Sequence, residues 1–339
     1  MSYITTENLN GIMAEMSDYC NAACPMCNRY DWNLKLQKDV TNKHHTSLDF
    51  IRSRIGESIL SKLKFWLCQG TYGDSIMNPE TIDIFDYLKK INPNIKLTMW
   101  TNGGARNEKF WKDLAKLDVN VIFSIDGLED TNHLYRRNVD WQKLMSNVKT
   151  FISNGGKAYW EYLIFKHNQN QIQKAREISK ILGFKSFKSS FSERWTDFNS
   201  DGEYRDIKVL KVDDYQIEKP ENQDDNELKI MDNHVLKNKN VMLSNIDFDF
   251  FKRKINCYVC SNERKQIYLR ANGFVSPCCF LGDVERNEPK NIITDFNKIN
   301  LNVTTLEDIL NGEFFKDISE GINGGTKRLK GCYHTCGER

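Results

Sequence analysis

The chain has 339 residues, with 48 basic and 46 acidic side chains and a formal net charge of +2. That length supports one large α/β domain plus a smaller one, and the charge balance gives no bulk attraction to nucleic acid or to an anionic membrane. The start "MSYITTENLNGIMAEMSDYC" lacks the basic end and apolar run of a secretory signal, and no apolar run approaches the ~20 residues that cross a bilayer, so the expectation is a cytoplasmic protein with reduced thiols.

The ten cysteines are grouped, which in a reducing compartment favours metal binding over disulfides. The first group lies in "YCNAACPMCNRY", where Cys20, Cys24 and Cys27 are spaced C-x3-C-x2-C. A closed structural zinc site needs four donors. Three thiolates on one short loop are therefore either a zinc half-site completed elsewhere or the holder of an iron–sulfur cluster with one iron left open. Pro25 stiffens the loop without donating an N–H. His44 and His45 follow in "TNKHHTSLDF", which reads as a polar loop because no acid or thiol stands at ligand spacing.

From about residue 10 to 190, β-rich runs alternate with amphipathic segments. "LKFWLCQG", "IKLTMWTNGG", "VNVIFSIDG" and "KAYWEYLIF" read as strands. "PETIDIFDYLKKI", "NEKFWKDLAKL", "WQKLMSNVKTFISNGG" and "NQIQKAREISKILGF" carry apolar residues at helical spacing. Asn78 before Pro79 is a candidate helix cap, and Gly155 and Gly183 are candidate helix stops. Strand and helix in regular succession predict βαβ units and a parallel sheet, whose functional loops lie at the carboxyl ends of the strands. No GxGxxG dinucleotide fingerprint is present. Cys68 reads as a small apolar core residue.

Residues 196–250 are charged, amide-rich and poor in pattern, and read as a solvated bridging connector. "KQIYLRANGFVSPCCFLGD" reads as a β-hairpin turning at Asn272-Gly273, and "TTLEDILNGEFFKDISEGI" as a helical pattern capped by Thr304 or Thr305. The aromatic residues of "FWKDL", "YWEYLIF" and "SERW" read as core or pocket lining, since no basic stripe accompanies them.

The segment "CNAACPMC" resembles the cluster-binding loop of the radical SAM superfamily. The resemblance implies a [4Fe-4S] cluster on Cys20, Cys24 and Cys27 whose open iron binds S-adenosylmethionine (SAM), reductive cleavage of SAM to a 5'-deoxyadenosyl radical, and hydrogen abstraction from a substrate C–H bond. It implies a fold as well, a partial (β/α)6 TIM-type barrel. Along the sheet, "CQGTYGDSIMNPE" resembles the family's Gly-Gly-Glu-Pro segment, with Gly70, Gly73 and Asp74 in the SAM-holding places and Asp74-Ser75 replacing the Glu-Pro pair. Thr101 and Asn102 in "TNGG" match polar residues that approach the cofactor. In "FSIDGLEDTNHLYRR", Ser124 and Arg137 match the pair that contacts the SAM ribose and carboxylate, a role suited to the planar arginine fork.

The later cysteines resemble the SPASM and twitch auxiliary-cluster modules, small α+β units. Cys260, Gly273 and Cys278 form C-x12-G-x4-C, followed by Cys332 and Cys336, and the resemblance implies one auxiliary [4Fe-4S] cluster on these four cysteines. Cys257 and Cys279 are rival ligands, a structural zinc site is the alternative occupant, and Cys279 is also a candidate hydrogen-atom donor.

The expected organisation is a radical SAM core over 1–195, a bridge over 196–250 and an auxiliary-cluster domain over 251–339. The expected reaction is oxidation of a small molecule of the sugar or aminocyclitol kind, served by an external donor such as flavodoxin or ferredoxin. With fewer than 20 residues before Cys20, a peptide-modifying maturase that makes crosslinks or epimers ranks second. A non-catalytic zinc-stabilised binding module is the alternative outside enzymes.

Overall fold

The structure is a computed structural model in which residues 4–30, 35–37, 40, 42–192, 194–198, 204–206, 209–212, 215–221, 264–282, 293, 295–323 and 332 are described. Its first part runs β1 (Gly11–Ala14), α1 (Leu48–Arg54), α2 (Glu57–Leu60), β2 (Phe65–Cys68), α3 (Thr81–Ile91), β3 (Lys96–Thr101), α4 (Glu108–Ala115), β4 (Val119–Ser124), α5 (Asn132–Tyr135), α6 (Trp141–Ser153), β5 (Lys157–Ile164), α7 (Ile172–Leu182) and β6 (Ser186–Phe191). Strands β1 to β6 pair side by side in sequence order, all parallel. This is the partial barrel expected from the sequence, because each strand returns to the sheet through a helix on its outer face.

Side-chain parity separates the two faces. In β4, Val119, Val121 and Phe123 are buried while Asn120, Ile122 and Ser124 are half-buried, and β5 alternates the same way. The buried set meets the helices: Phe123 lies 5.4 Å from Trp111 of α4 and 6.0 Å from Phe151 of α6, ring centroid to ring centroid. The half-buried set faces the concave side, where the Trp100 indole donates to Glu161 Oε2 at 3.0 Å across β4.

Local punctuation follows backbone chemistry. Asn107 and Asp140 cap α4 and α6 by accepting from Phe110 N at 3.1 Å and Lys143 N at 2.7 Å, and Gly183 ends α7 in the left-handed region at φ 87°, where a side chain would be strained. Asn78 does something other than cap the next helix. It is fully buried and donates to Met16 O at 2.8 Å and Thr46 O at 2.7 Å, while Glu80 takes the cap position of α3. An amide with two donors at the bottom of a loop satisfies more backbone there than at a helix start.

The stretch read as a solvated connector carries two short antiparallel ladders, β7 (Thr196–Phe198) with β8 (Tyr204–Asp206) and β9 (Val209–Val212) with β10 (Tyr215–Glu218). Their end is tied to the loop after β5 by Lys166 N donating to Glu218 O at 3.1 Å. Residues 222–250 lie outside the described residues. The expected hairpin is present as β11 (Gln266–Leu269) and β12 (Val275–Ser276), turning through Gly273 at φ 92°, and β11 continues the barrel sheet by pairing parallel with β1. The last helical pattern divides at Gly312 into α8 (Leu306–Asn311), capped by Thr305, and α9 (Glu313–Ile322). Among the described residues, no helix is long and apolar enough to cross a membrane.

Phe123 sits at the centre of the helix-facing core. Replacing Phe123 with Ala should cost about 3–5 kcal/mol, read as a lowered urea midpoint by tryptophan fluorescence, whereas Ile181→Ala, at a side chain 83% exposed, should stay within about 0.5 kcal/mol.

Candidate functional site

The carboxyl ends of β1 to β4 gather around one loop. That loop follows β1 and carries Cys20, Cys24 and Cys27, and tight turns shape it: Cys27 N donates to Cys24 O at 3.1 Å and Tyr30 N to Cys27 O at 3.0 Å. It is also stitched to the sheet, with Ala23 N donating to Arg137 O at 3.0 Å and Asp74 N to Tyr19 O at 2.9 Å. Arg29, buried beneath the loop, donates to Cys20 O at 3.4 Å.

The loop after β2 is shaped by close backbone approach. Gly70 has φ 70°, and a Cβ on Gly73 would sit 2.0 Å from Ser17 O, so only glycine lets this loop pass against the start of the cysteine loop. Asp74 is buried with its carboxylate turned inward. Its Oδ2 accepts from Thr101 Oγ1 at 3.0 Å, Asn102 N at 2.9 Å and Asn102 Nδ2 at 2.8 Å, and its Oδ1 accepts from Ile76 N at 3.2 Å. Burial pushes its pKa up, and the hydrogen bonds from Asn102, Ile76 and Thr101 oppose that push. Thus Asp74, Thr101 and Asn102 form one unit, and Asn102 Nδ2 reaches Cys20 Sγ at 3.5 Å and Asn21 Oδ1 at 3.0 Å.

Ser124 stands half-buried at the end of β4, in register with Glu161. Of the adjacent arginines, Arg136 sends its side chain to the cysteine loop: Nε donates to Asp126 Oδ2 at 2.6 Å and Nη1 reaches Cys24 Sγ at 3.6 Å. Arg137, the arginine singled out by the sequence, is half-buried and contributes its backbone carbonyl to Ala23. Burial opposes the charge on Arg136, but Asp126 and Cys24 outweigh it and hold the guanidinium protonated. The missed signal was Asp126 within "SIDG", an acid followed ten residues later by a base.

Glu15 was also missed. It is 2% exposed at the end of β1 and accepts from Thr71 N at 2.5 Å and Tyr72 N at 3.2 Å. His44, set aside for want of a nearby acid, pairs with Asp18 Oδ2 at 2.6 Å, which ties the polar loop to the cysteine loop.

The thiols are chemically fit to hold a cationic metal cluster. Burial raises the Cys20 pKa well above the usual thiol value, and Asp74, Cys24 and Cys27 raise it further. Cys24 is pushed up to about 11 by burial, with Arg136 opposing. Three sulfurs close enough to repel one another as thiolates, with no competing acid or histidine between them in the sequence, are a donor set for iron. Cys68 behaves as core, its Sγ against Met16 Sδ at 3.2 Å.

Cys278 and Cys332 are both buried and belong to one apolar core, and Cys279 is half-buried beside the concave face. Cys257, Cys260 and Cys336 lie outside the described residues. A cavity of about 490 Å³ bordered by Lys89, Lys96, Asp118 and Lys157 opens at the opposite, amino-terminal end of the strands, away from the cysteine loop.

Comparison with known proteins agrees with this geometry. Residues 14–177 match the family described as the radical SAM superfamily, and residues 260–337 match SPASM, an iron–sulfur cluster-binding domain. A 127-residue stretch is 28% identical to an uncharacterised protein of Methanocaldococcus jannaschii, covering 36% of this chain and 41% of that one. The chain thus spans less than half of that relative. Among solved structures, SuiB of Streptococcus suis bound to S-adenosylmethionine is similar with a TM-score of 0.52 and 16% identity, over 96% of this chain and 77% of that one. The enzyme structure named anSMEcpe with bound AdoMet has a TM-score of 0.55 and 14% identity, over 91% of this chain and 79% of that one. At these identities the likeness is one of fold.

Asp74→Ala removes the acceptor of three buried donors on Thr101 and Asn102. The protein should lose about 3 kcal/mol or more of stability, measured by urea unfolding, while Asp74→Asn, which keeps one oxygen, should lose less.

Proposed function

The chain belongs to the radical SAM superfamily and carries a C-terminal SPASM iron–sulfur cluster-binding domain, and on that premise we propose that Cys20, Cys24 and Cys27 hold its SAM-binding [4Fe-4S] cluster. Bound there, cluster and cofactor supply a 5'-deoxyadenosyl radical by reductive cleavage of S-adenosylmethionine, a hydrogen-abstracting agent strong enough for an unactivated C–H bond. Membership in an enzyme superfamily displaces the reading as a non-catalytic zinc module. The observation that carries the proposal is the three-thiol loop at the carboxyl end of β1, braced by the ends of β2, β3 and β4.

Each of the chain's own residues then has a task. Gly70 and Gly73 let the backbone come close enough to receive the cofactor's amino acid portion. Asp74 acts through Thr101 and Asn102, which it holds at the rim. Ser124 and Arg137 are the candidates for the ribose and carboxylate of the cofactor, and an arginine fork suits the latter. Cys278 and Cys332, buried together, would with Cys260 and Cys336 hold one auxiliary cluster in the SPASM domain, and an external flavodoxin or ferredoxin would deliver the electron.

For the substrate we favour a small polar molecule of the sugar or aminocyclitol kind, oxidised with the auxiliary cluster as acceptor of the second electron. The supporting observation is the half-buried concave face, where Thr98, Trp100, Ser124, Tyr159 and Glu161 stand on neighbouring strands and offer hydroxyl, indole and carboxylate groups to a hydroxyl- or amine-rich ligand. Peptide modification is the second reading, supported by SuiB, whose structure is also known bound to precursor peptide SuiA with a TM-score of 0.52 to this chain.

Anaerobic reconstitution tests the core of the proposal. Wild-type protein should bind about eight irons per chain, four for each cluster, and release 5'-deoxyadenosine from S-adenosylmethionine under strong reductant. The Cys20→Ala, Cys24→Ala, Cys27→Ala triple variant should lose about four irons and all 5'-deoxyadenosine. Cys332→Ala should lose about four irons and keep basal cofactor cleavage. A triple variant with full iron would overturn the first assignment, and an unchanged count in Cys332→Ala the second.

A further inference from the structure

We propose that Arg136 is a positioning residue that sets how readily the cluster on the three-thiol loop is reduced, by donating an N–H hydrogen bond to the Cys24 sulfur. The proposal rests on the reading that Cys20, Cys24 and Cys27 hold that cluster.

The guanidinium is clamped before it reaches the sulfur. Its Nε donates to Asp126 Oδ2 at 2.6 Å, and Asp126 itself is fully buried, its other oxygen accepting from Leu163 N at 2.7 Å. The backbone on both sides is pinned by one amide, because Asp126 N donates to Asn132 Oδ1 at 2.9 Å and Arg136 N donates to Asn132 O at 2.8 Å. The guanidinium carbon also lies over the Tyr135 ring at 5.4 Å from its centroid. What remains of the planar fork is the Nη edge, and Nη1 stands 3.6 Å from Cys24 Sγ, a bonding distance for a large, soft acceptor.

Hydrogen bonds to ligating sulfurs and local charge set the potential of iron–sulfur centres. A reduced cluster carries one more negative charge, part of it on its sulfurs, so a donor at Cys24 stabilises the reduced form more than the oxidised one and raises the potential. The partner Asp126 cancels the net charge of Arg136 but not its direction. The cationic end of the pair points at the sulfur and the anionic end points away, which leaves an oriented dipole in a buried, poorly screened place. Cys20 receives a weaker version of the same contact from the neutral Asn102 amide at 3.5 Å. The thiolate loop is therefore addressed asymmetrically, with its one charged donor on the middle cysteine among the described residues.

The test uses full-length reconstituted protein without S-adenosylmethionine, reduced and examined by electron paramagnetic resonance. The spectrum of the Cys20→Ala, Cys24→Ala, Cys27→Ala variant is subtracted to remove the auxiliary signal. In wild-type protein labelled with ¹⁵N-arginine, pulsed measurements should show a nitrogen coupling to the reduced cluster that changes with the isotope. In redox titrations, Arg136→Gln should lower the reduced-to-oxidised ratio at a fixed potential about tenfold, ~59 mV for a one-electron couple, and Arg136→Lys should fall between it and wild type. A purely structural role would leave the midpoint unmoved in every variant that still binds iron. An unchanged midpoint in an iron-replete Arg136→Gln protein overturns the inference, as does the absence of an arginine coupling in wild type. The wild-type coupling decides the matter if the variants lose their iron. If wild-type protein loads no cluster on the three cysteines, the underlying reading fails first, and the iron count reports that separately.

Discussion

The cysteine loop is held by buried carboxylates that reach from one strand end to the next. Glu15, at the end of β1, accepts from Thr71 N and Tyr72 N in the loop after β2. Asp74, after β2, accepts from Thr101 and Asn102 at the end of β3. Asp126, after β4, accepts from Leu163 N of β5 and from Arg136. A carboxylate taken out of water is costly unless donors surround it, and burial pushes the pKa of all three upward while their hydrogen bonds push back. The compensation is complete only when each neighbouring loop is in place. One misplaced loop thus leaves a buried acid unsatisfied, and that penalty couples loops which share no sequence proximity.

The same lacing explains how a loop of mutually repelling thiols can wait for a metal. In the metal-free protein, burial and the neighbouring acid and thiols raise the Cys20 pKa, so the loop rests with its sulfurs protonated. Metal binding must expel those protons. A cluster bearing several iron cations supplies the attraction that reverses the balance, and the loop need not be rebuilt, because its shape is fixed by Asn102, Arg136 and backbone bonds to Tyr19, Ala23 and Cys24 rather than by the metal. Buried ion pairs such as Asp126 with Arg136 add little net stability by themselves. Their contribution here is geometric, since they choose one orientation of a long side chain.

Much of this was legible in the sequence because it is periodic or local. The alternation within β4 and β5 and the amphipathic spacing of α3, α4, α6 and α7 are written in consecutive residues, and the C-x3-C-x2-C loop carries its chemistry in eight positions. The lacing was not legible, because each tie is between residues far apart in the chain. Asp18 meets His44 across 26 positions, and Asn102 meets Asp74 across 28. Asn78 sits where a cap would be expected, and only the folded loop reveals the carbonyls of Met16 and Thr46 beneath it. The two arginines illustrate a different limit. Helix α5 has four residues and ends at Tyr135, and Arg136 takes a non-helical φ of −83° and ψ of 62°. Helical periodicity therefore cannot say which of the adjacent arginines turns inward.

Sheet continuity has a consequence for the two groups of cysteines. Strand β1, first in the barrel, is not an edge, since β2 pairs with it on one side and β11 on the other, both parallel. The hairpin of β11 and β12 is thus part of the barrel sheet and leads into Cys278 two residues after its last strand position. Glu15 and Cys279 are near enough for the acid to raise the thiol's pKa, though burial is the larger cause. A hinge between the module bearing Cys278 and the loop bearing Cys20 would have to break the β1 to β11 ladder, whose four residue pairs lie within the apolar interior. The separation of the two cysteine groups is set by strand spacing, which hydrogen bonding fixes at ~4.8 Å per strand, and the sheet itself keeps them in one rigid frame.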